Sequence, residues 1–585
     1  MENNYQPPRF YRGEMDDKTG TAGHGAVLNE DYNRIMVEGP WGQVKMQKVR
    51  DGVHCLTGFA VANFTLVESD SGFILIDTGL NRGCGEELLR RKAEISDKPI
   101  VAIIFSHNHY TGGARAILEA HPDRDIPIYG HPQTENSIFG LVDPGTLRHA
   151  VDRAIKQMGM YLPKTGPDSS ATYGFCIPQF EDPALNVNGH LPVTHEVQDG
   201  DEVVIDGVKV CFHHAMADAP DSLISYFPEY DLIQHNTAIM PVMFPLYTLR
   251  GGEYRNPVNL IEGIDKIREI CPEHLIGCHG NPVSGKENVY ELATLHRDAY
   301  AFLFQQTLQG INRGLSPDDL VQQIHLPKHV NENLALFPAY IDVEYIVRGI
   351  YLGVIGWWAT DTADLHPPTQ QEMGEVIVEG FGGVDAVINR GRKAMAAKQY
   401  NLVAKLMSYA LSVEPDNTEA KQLKADVLRK MAQTTRSGIQ TRNFLLTEAC
   451  ELEGKIPAPQ RPEKAPLTNM HPATVANSSP ATIVKLMENH FNPEGVEQLS
   501  ATVLIHFTDQ GVGYGLAIRN GAVEFLAQAP ADSDMQIRLP FSDWALVATG
   551  QCTLQALTAD GIAEVSGEKS VVDAVMNAYK GILGA

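Results

Sequence analysis

The sequence predicts an α/β domain, followed by an all-α region and a small α+β domain. From about residue 30 to 290, short β-rich runs such as GFILIDTG and IVAIIFS alternate with helical stretches such as EELLRRKAEI. Apolar residues then recur at helical spacing to about residue 454. The last part contains three alternating strands with turns at DQG and RNG, and helices follow them. Such changes of hydrophobic period indicate separate structural units.

The chain has 585 residues, which is too long for one hydrophobic core. The segment before the last domain is rich in Pro, Ser and Asn and has neither a helical nor a strand period, so it is predicted to be a linker. The predicted parts are an N-terminal tail (1–30), the α/β domain (31–290), the helical domain (291–454), the linker (455–480) and the terminal domain (481–585).

The charge of the chain argues against a nucleic-acid partner. There are 47 basic and 72 acidic residues, for a formal net charge of -25, and no block of Lys and Arg is present. Binding to phosphate backbones needs clustered cations. No stretch approaches the ~18 to 20 apolar residues of a membrane span, and the N-terminus has no apolar signal region. We therefore expect neither nucleic acid nor a membrane span.

The cysteine pattern bears on the compartment. The eight cysteines are scattered and form no CxxC pair, which favours reduced thiols over a disulfide framework. This favours a cytoplasmic location, although a leader that had been removed would leave no trace in the sequence.

A candidate metal site lies in FSHNHYTGGA, residues 105 to 114. His107 and His109 are two residues apart at the end of an apolar run, and a glycine pair follows almost at once. Imidazole nitrogens are suitable ligands for zinc and iron. An HxH sequence at a strand end also occurs in proteins without a metal, so the motif needs the support of its surroundings.

Several motifs carry a resemblance to a known fold. GFILIDTGLN, the strand ending in SHNH, the GG that opens a helix, and LIGCHGNP resemble the metallo-β-lactamase fold, an αββα sandwich. YTLRG at 247–251 and GWWATDTADLHPP at 356–368 are similar to the alkylsulfatases. That family joins such a domain to a helical dimerisation domain and a C-terminal sterol-carrier-like α+β domain. The resemblance implies a homodimeric metal-dependent hydrolase with an amphiphilic substrate.

The metal motif departs from the family pattern, which makes this chain a divergent member. The family sequence is His-x-His-x-Asp-His-x-Gly-Gly, and here the run passes from His109 through Tyr110 and Thr111 to the glycines. Two residues are missing, and they include both ligands of the second metal. Asp218 in ADAPDS stands where the family has a glutamate ligand, and His279 in CHGNP matches a histidine ligand.

The resemblance therefore implies one transition-metal ion per chain, held by His107, His109 and Asp218, with His279 close by. At a further glutamate position of the family the chain has Thr237, and His235 beside it is another candidate ligand. His214 and Asn236 remain alternatives.

The identity of the metal and its chemistry stay open. Zinc is favoured, because three protein ligands and an open position lower the pKa of bound water to ~7 and generate hydroxide for hydrolysis. Two histidines and one carboxylate are also the ligands of non-heme Fe(II) enzymes, which would carry out oxidative or lyase chemistry. Manganese is a third possibility, and a non-catalytic lipid-binding homologue is a third functional class.

The substrate-binding residues are only partly those of the family. Arg250 matches an arginine that holds sulfate, and a planar guanidinium suits a tetrahedral oxyanion. Pro241 and Pro245 replace a histidine of proton transfer and an asparagine that contacts sulfate, and proline offers no donor. Tyr110 or His235 could supply the missing proton. A sulfate ester is the family default, but the altered residues point to a different reacting group.

Overall fold

The computed structural model of the chain describes residues 18–39, 44–139, 147–171, 180–436, 438–456, 466–468 and 470–583. Part of the predicted tail of residues 1–30 is a short hairpin. Strand β1 (Thr19–Thr21) pairs antiparallel with β2 (Val27–Asn29), and the one-turn helix α1 (Glu30–Tyr32) follows. The Asn29 side chain caps this helix, and Tyr32 contacts Phe337 of the helical domain. Residues 1–17 lie outside the described residues.

Two mixed β-sheets form the α/β domain. The strands of the first sheet, in their spatial order, are β3 (Lys45–Arg50), β4 (Val53–Thr57), β5 (Phe64–Glu68), β6 (Phe73–Ile76), β7 (Ile100–Ile104), β8 (Ile128–Gly130) and β9 (His195–Glu196). Those of the second sheet are β10 (Glu202–Ile205), β11 (Val208–His214), β12 (Leu223–Phe227), β13 (Leu232–His235), β14 (His274–Gly277) and β15 (Val283–Ser284). Parallel pairing begins at β6–β7 in the first sheet, and β13–β14 is the parallel pair of the second.

The sheets pack face to face, and helices cover their outer faces. Successive side chains of a strand point to opposite faces. Ile74 and Ile76 of β6 accordingly join Phe212 of β11 in the central core, whereas Leu75 packs in a separate cluster with Leu88 of an outer helix. This is the predicted αββα sandwich. Its helices are α2 (Arg82–Ile95), α3 (Ala114–Glu119), α4 (Thr134–Phe139), α5 (Arg148–Gln157) and α6 (Pro257–Ile270).

The predicted helical domain is confirmed. Capping boxes begin two of its helices, at Ser316 with Asp319 and at Thr369 with Glu372. The helices are α7 (Lys286–Asn312), α8 (Pro317–Gln323), α9 (Lys328–Asn331), α10 (Val343–Ile355), α11 (Gln370–Phe381), α12 (Val384–Ala396), α13 (Tyr400–Val413), α14 (Thr418–Thr434) and α15 (Ile439–Leu452).

The last domain is α+β, as predicted. Its mixed sheet has the order β18-β17-β16-β19-β20, where these are β16 (Ala501–Phe507), β17 (Val512–Arg519), β18 (Ala522–Leu526), β19 (Met535–Leu539) and β20 (Glu564–Gly567). The fully buried Trp544 packs in its core. Its helices, and those that precede it, are α16 (Pro472–Ala476), α17 (Pro480–Lys485), α18 (Phe541–Ala548), α19 (Leu554–Ala559) and α20 (Lys569–Ala578).

This domain also contacts the α/β domain. Ile138 of α4 lies in the hydrophobic core of the last domain, and the Thr474 hydroxyl donates a hydrogen bond to the backbone carbonyl of Asn188. Helix α16, which carries Thr474, lies within the segment predicted as a linker, so part of that segment packs against the first domain.

Exposed apolar side chains are concentrated at the end of α10. Leu352, Ile355 and Trp357 expose 51%, 53% and 67% of their surfaces. Contiguous exposed apolar groups of this kind mark contact surfaces in soluble domains. Among the helices of the described part of the chain, none has the length and hydropathy needed to cross a membrane.

We expect this surface to form a homodimer interface. Replacing Ile355 and Trp357 together by glutamate places two charges in that interface, so the variant should be monomeric, with a mass near 64.2 kDa by light scattering. Wild-type protein should have twice that mass at micromolar concentration. A monomeric wild type would contradict the prediction.

Candidate metal centre

The loop after β7 carries the HxH sequence and is fixed by close packing. His107 is extended, and Asn108–Tyr110 form a single 3-10 turn. A Cβ added to Gly112 would lie 2.1 Å from the carbonyl oxygen of Leu80, and one added to Gly113 would lie 2.2 Å from that of Thr78. The two glycines are therefore required because this loop lies directly against the loop that follows β6.

Three predicted ligands come together. The His109 Nδ1 atom lies 3.1 Å from Asp218 Oδ2, and His107 Nε2 lies 3.6 Å from the same oxygen. One ligand atom from each residue lies within 4.8 Å of the others. His107 is fully buried, and its Nε2 has no hydrogen-bond partner among the described residues. Two imidazole nitrogens and one carboxylate oxygen are a donor set that suits a divalent transition metal.

The charges of the three groups are strongly coupled. Burial raises the pKa of Asp218, but the two imidazoles outweigh it and hold that pKa well below its usual range. Burial likewise opposes protonation of His107, yet Asp218 overrides it and raises the pKa of His107 to about 9. Burial lowers the pKa of His109 to about 4. Without a metal, His107 therefore carries a proton that faces the ionised carboxylate of Asp218. A metal cation can replace that proton.

Asp77 and Ser106 position His107. The Ser106 hydroxyl donates to Asp77 Oδ2 at 2.8 Å, and His107 Nδ1 donates to the same hydroxyl at 2.9 Å. The Asp77 carboxylate also accepts the Ser106 backbone N–H. Burial raises the pKa of Asp77 to about 6. When His107 is neutral, as metal binding requires, this chain of bonds keeps its proton on Nδ1 and leaves Nε2 as the ligand atom, which is the usual role of outer hydrogen bonds at a metal site.

Thr237 orients the carboxylate of Asp218. Its hydroxyl donates to Asp218 Oδ1 at 2.6 Å, which leaves Oδ2 facing the two histidines. In the sequence, Thr237 stands at the position of a family glutamate ligand. In the structure, Thr237 contacts Asp218 as a hydrogen-bond donor. Neither this role nor those of Asp77 and Ser106 were predicted. The DTG sequence after β6 was the available signal for Asp77.

His279 and Tyr110 form a hydrogen-bonded pair. His279 Nδ1 lies 2.9 Å from the carbonyl oxygen of Val61, so it carries the proton, and the Tyr110 hydroxyl donates to His279 Nε2 at 3.0 Å. Burial lowers the pKa of His279 to about 4 and raises that of Tyr110 well above its usual value. The predicted ligand His279 therefore lies beside the three candidate ligands, but its Nε2 accepts a hydrogen bond from Tyr110.

The structure does not bring His235 into this group. His235 ends β13, is buried, and lies so close to Gly277 that a Cβ there would be 3.0 Å from its Nε2. Burial lowers its pKa to about 3. His214 also lies apart, since it donates to the carbonyl of Pro220 at 2.6 Å, and Asn236 donates to the carbonyl of Ala215. His235 pairs with Gly277 of β14, and this strand pairing fixes the position of its side chain outside the group of candidate ligands.

A cavity of about 330 Å³ adjoins the candidate metal ligands His109 and Asp218. It is lined by His109, Tyr110, Asp218 and His279, and Arg250 lines the same space. The Arg250 backbone N–H donates to Gln157, and its guanidinium donates to the carbonyl of Gly251 at 3.3 Å. The remaining wall is largely apolar and includes Val61, Leu80, Met158, Met240, Phe244 and Met470. The cavity therefore combines cationic, metal-ligating and apolar surfaces.

The fold and this site define a protein of the metallo-β-lactamase superfamily. The model of that superfamily matches residues 57–233, the alkyl sulfatase dimerisation model matches 316–455, and the alkyl sulfatase C-terminal model matches 468–580. The three matches together cover well over half of the chain. The chain belongs to the alkylsulfatase family, with an altered metal-binding motif. The resemblance inferred from the sequence is thereby confirmed.

Known relatives agree with this placement. The chain is 28% identical to a linear primary-alkylsulfatase of a Pseudomonas species over 78% of its own length and 87% of the relative. It is 23% identical to an alkyl/aryl-sulfatase of Saccharomyces cerevisiae over 97% and 90% of the two chains. The solved structure of the stereoselective inverting sec-alkylsulfatase Pisa1 from Pseudomonas superimposes with a TM-score of 0.78 at 22% identity, covering 98% of this chain and 92% of that one. At that identity the structural match shows the shared fold.

We expect Asp77→Asn to weaken metal binding about 10- to 100-fold, the usual cost of removing an outer hydrogen-bond partner of a metal ligand. Asparagine keeps one acceptor but loses the charge that orients the Ser106 hydroxyl. Competition of the purified protein with a chromophoric chelator measures the affinity.

Asp206→Asn is a matched control for this variant. Asp206 has a positive φ, as Asp77 does, and also accepts hydrogen bonds from serines, but these are Ser69 and Ser71 and not the Ser106 that contacts His107. Its replacement should leave metal affinity unchanged. Equal affinities for wild type and Asp77→Asn would show that Asp77 does not position His107.

Proposed function

We propose that the protein is a metal-dependent hydrolase that acts on an amphiphilic substrate with an anionic head. The observation that carries the proposal is the shared cavity. One wall contains the His109 and Asp218 donors, Arg250 adds a positive charge, and apolar side chains line the rest. A head group and an apolar chain can therefore bind at the same time in one site.

His107, His109 and Asp218 would hold the metal ion. The buried, unpartnered Nε2 of His107 beside an ionised carboxylate fits a cation. When bound, zinc acts as a Lewis acid and makes water a nucleophile near neutral pH. The protein's own contribution is to hold the ligand atoms in place through Ser106 and Thr237.

Tyr110 is the proposed proton donor to the leaving group. It lines the cavity, and its raised pKa keeps its hydroxyl protonated. In this structure the hydroxyl proton is donated to His279 Nε2, so the hydroxyl must turn from His279 towards the leaving group in order to transfer the proton. A phenol with a raised pKa is a weak acid at neutral pH, so the proton transfer would be slow for poor leaving groups.

The names of the relatives make a sulfate ester the first substrate class to consider. Two features argue for a different or additional head group. Pro245 lines the cavity at the position of the expected asparagine. Pro241 packs against Gly280, where a Cβ would lie 2.8 Å from its ring, and it offers no proton.

A second candidate is an iron-dependent oxidative or lyase reaction on a similar amphiphile. Two histidines and one carboxylate within 4.8 Å of one another are the observation that favours it. Both candidates use the same cavity, so the metal and the product distinguish them.

We predict slow or absent hydrolysis of linear alkyl sulfates such as dodecyl sulfate. The proposed proton donor is weak, and the side chains of Pro241 and Pro245 cannot donate a hydrogen bond or a proton. The protein loaded with zinc should release the head group faster from an anionic ester with a better leaving group, such as an aryl phosphate, because that ester depends less on the proton donor. Ion chromatography of released sulfate and phosphate measures both rates, at surfactant concentrations that leave the protein folded.

The double variant His107→Ala, His109→Ala is the control and should be inactive. Rapid release of sulfate from dodecyl sulfate would contradict the predicted shift of head group. Release from no ester, together with oxygen consumption by the iron-loaded protein, would replace hydrolysis by the second candidate.

A further inference from the structure

We propose that the stacked imidazole rings of His131 and His214 form a clamp that holds the loop carrying Asp218 against the two metal-binding histidines. Neither residue is among those that line the cavity. The inference assigns a positioning role to two histidines outside the group of candidate ligands. It rests on the proposed function, because it concerns the retention of the same metal ion.

The candidate ligands come from two different sheets. His107 and His109 follow β7 of the first sheet, whereas Asp218 lies between β11 and β12 of the second. A functional site needs its groups held to within about 0.5 Å of their productive positions. The distance between the two histidines and Asp218 therefore depends on how the two sheets are joined beside the site.

The two rings of the clamp join the sheets at this point. His131 directly follows β8, the neighbour of β7 in the first sheet, and His214 is the last residue of β11 in the second. The ring centroids are 4.4 Å apart, and the ring planes differ by only 12°. Stacked rings at this distance attract each other. The stack is thus a direct side-chain contact between the sheets that supply the ligands.

His214 also holds the loop that carries Asp218. Its Nε2 donates a hydrogen bond to the carbonyl of Pro220 at 2.6 Å, two residues after Asp218. The φ angle of proline is fixed by its ring, so the backbone next to this bond has little freedom. Because His131 packs on the His214 ring, the stack and this hydrogen bond together link the end of β8 to the Asp218 loop.

Backbone contacts orient both residues of the clamp. His131 Nδ1 accepts the backbone N–H of Gln133 at 3.2 Å, and the backbone N–H of His214 donates to Asp199 Oδ1 at 3.1 Å. Burial, with a smaller effect of His214, lowers the pKa of His131 to about 4, so this ring is uncharged at neutral pH. An uncharged ring can stack closely on a second imidazole without charge repulsion.

The test measures two properties of the full-length protein. Zinc affinity is measured by competition with a chromophoric chelator, and the melting temperature of the metal-free protein is measured by calorimetry. His214→Leu cannot donate to the Pro220 carbonyl, so it should weaken zinc binding about 10- to 100-fold, the usual cost of losing an outer residue at a metal site. His214→Gln keeps an N–H donor and should recover part of that affinity.

Two variants of His131 test the stack itself. His131→Phe keeps a planar ring over His214 and should bind zinc within about twofold of wild type. His131→Ala removes the ring and should weaken zinc binding about 2- to 10-fold, the equilibrium value of one aromatic contact.

His195→Ala is the matched control. The His195 ring also lies against an aromatic ring, that of Tyr129 in β8, at 4.9 Å. Its Nδ1 is hydrogen-bonded to the Thr194 hydroxyl and not to the loop that carries Asp218. Its replacement should leave zinc affinity unchanged.

The outcomes separate the inference from the proposed function. If wild type binds zinc and His214→Leu and His131→Ala bind it equally well, the inference is wrong and the proposed function stands. A lower melting temperature with unchanged zinc affinity would make the pair a structural brace and also overturn the inference. A wild type that binds no metal would overturn both. If His214→Leu does not fold, the comparison of His131→Phe with His131→Ala decides.

Discussion

The active-site geometry depends on the buried carboxylate of Asp218. Its Oδ2 faces His107 and His109, while Thr237 occupies Oδ1. These contacts hold its pKa well below the usual range, so the group stays ionised. A buried anion needs a compensating cation. The proton on His107 serves this purpose in the absence of a metal, and a divalent ion serves it better because both histidines then become neutral ligands.

Three parts of the chain meet around this carboxylate. The α/β domain supplies the metal-binding residues, the helical domain supplies Tyr340, and the segment before the last domain supplies Met470. Tyr110, which follows His109 directly, lies beside His279 and donates a hydrogen bond to its Nε2. The motif lacks both ligands that the family pattern has for a second metal, so we propose a single ion beside this tyrosine and histidine pair.

Local patterns in the sequence predicted the fold and the two histidines of the candidate metal site. Strand and helix periods gave the three domains, and the HxH sequence with its glycine pair gave His107 and His109, because these signals are contained in a few consecutive residues. The Tyr110 contact with His279 spans 169 residues, and the hydrogen bond from Thr237 to Asp218 joins the segments that follow two different strands. Such contacts depend on how loops pack. The sequence could not show the position of His235 either, because pairing between β13 and β14 determines where its side chain lies.

We propose that one metal ion binds at His107, His109 and Asp218. Elemental analysis of the protein after metal loading and desalting tests this most directly, with the double variant His107→Ala, His109→Ala treated in parallel. Wild-type protein should hold about one transition-metal ion per chain and the variant none, since one carboxylate is too weak a site alone. Two ions per wild-type chain, or an ion retained by the variant, would contradict it.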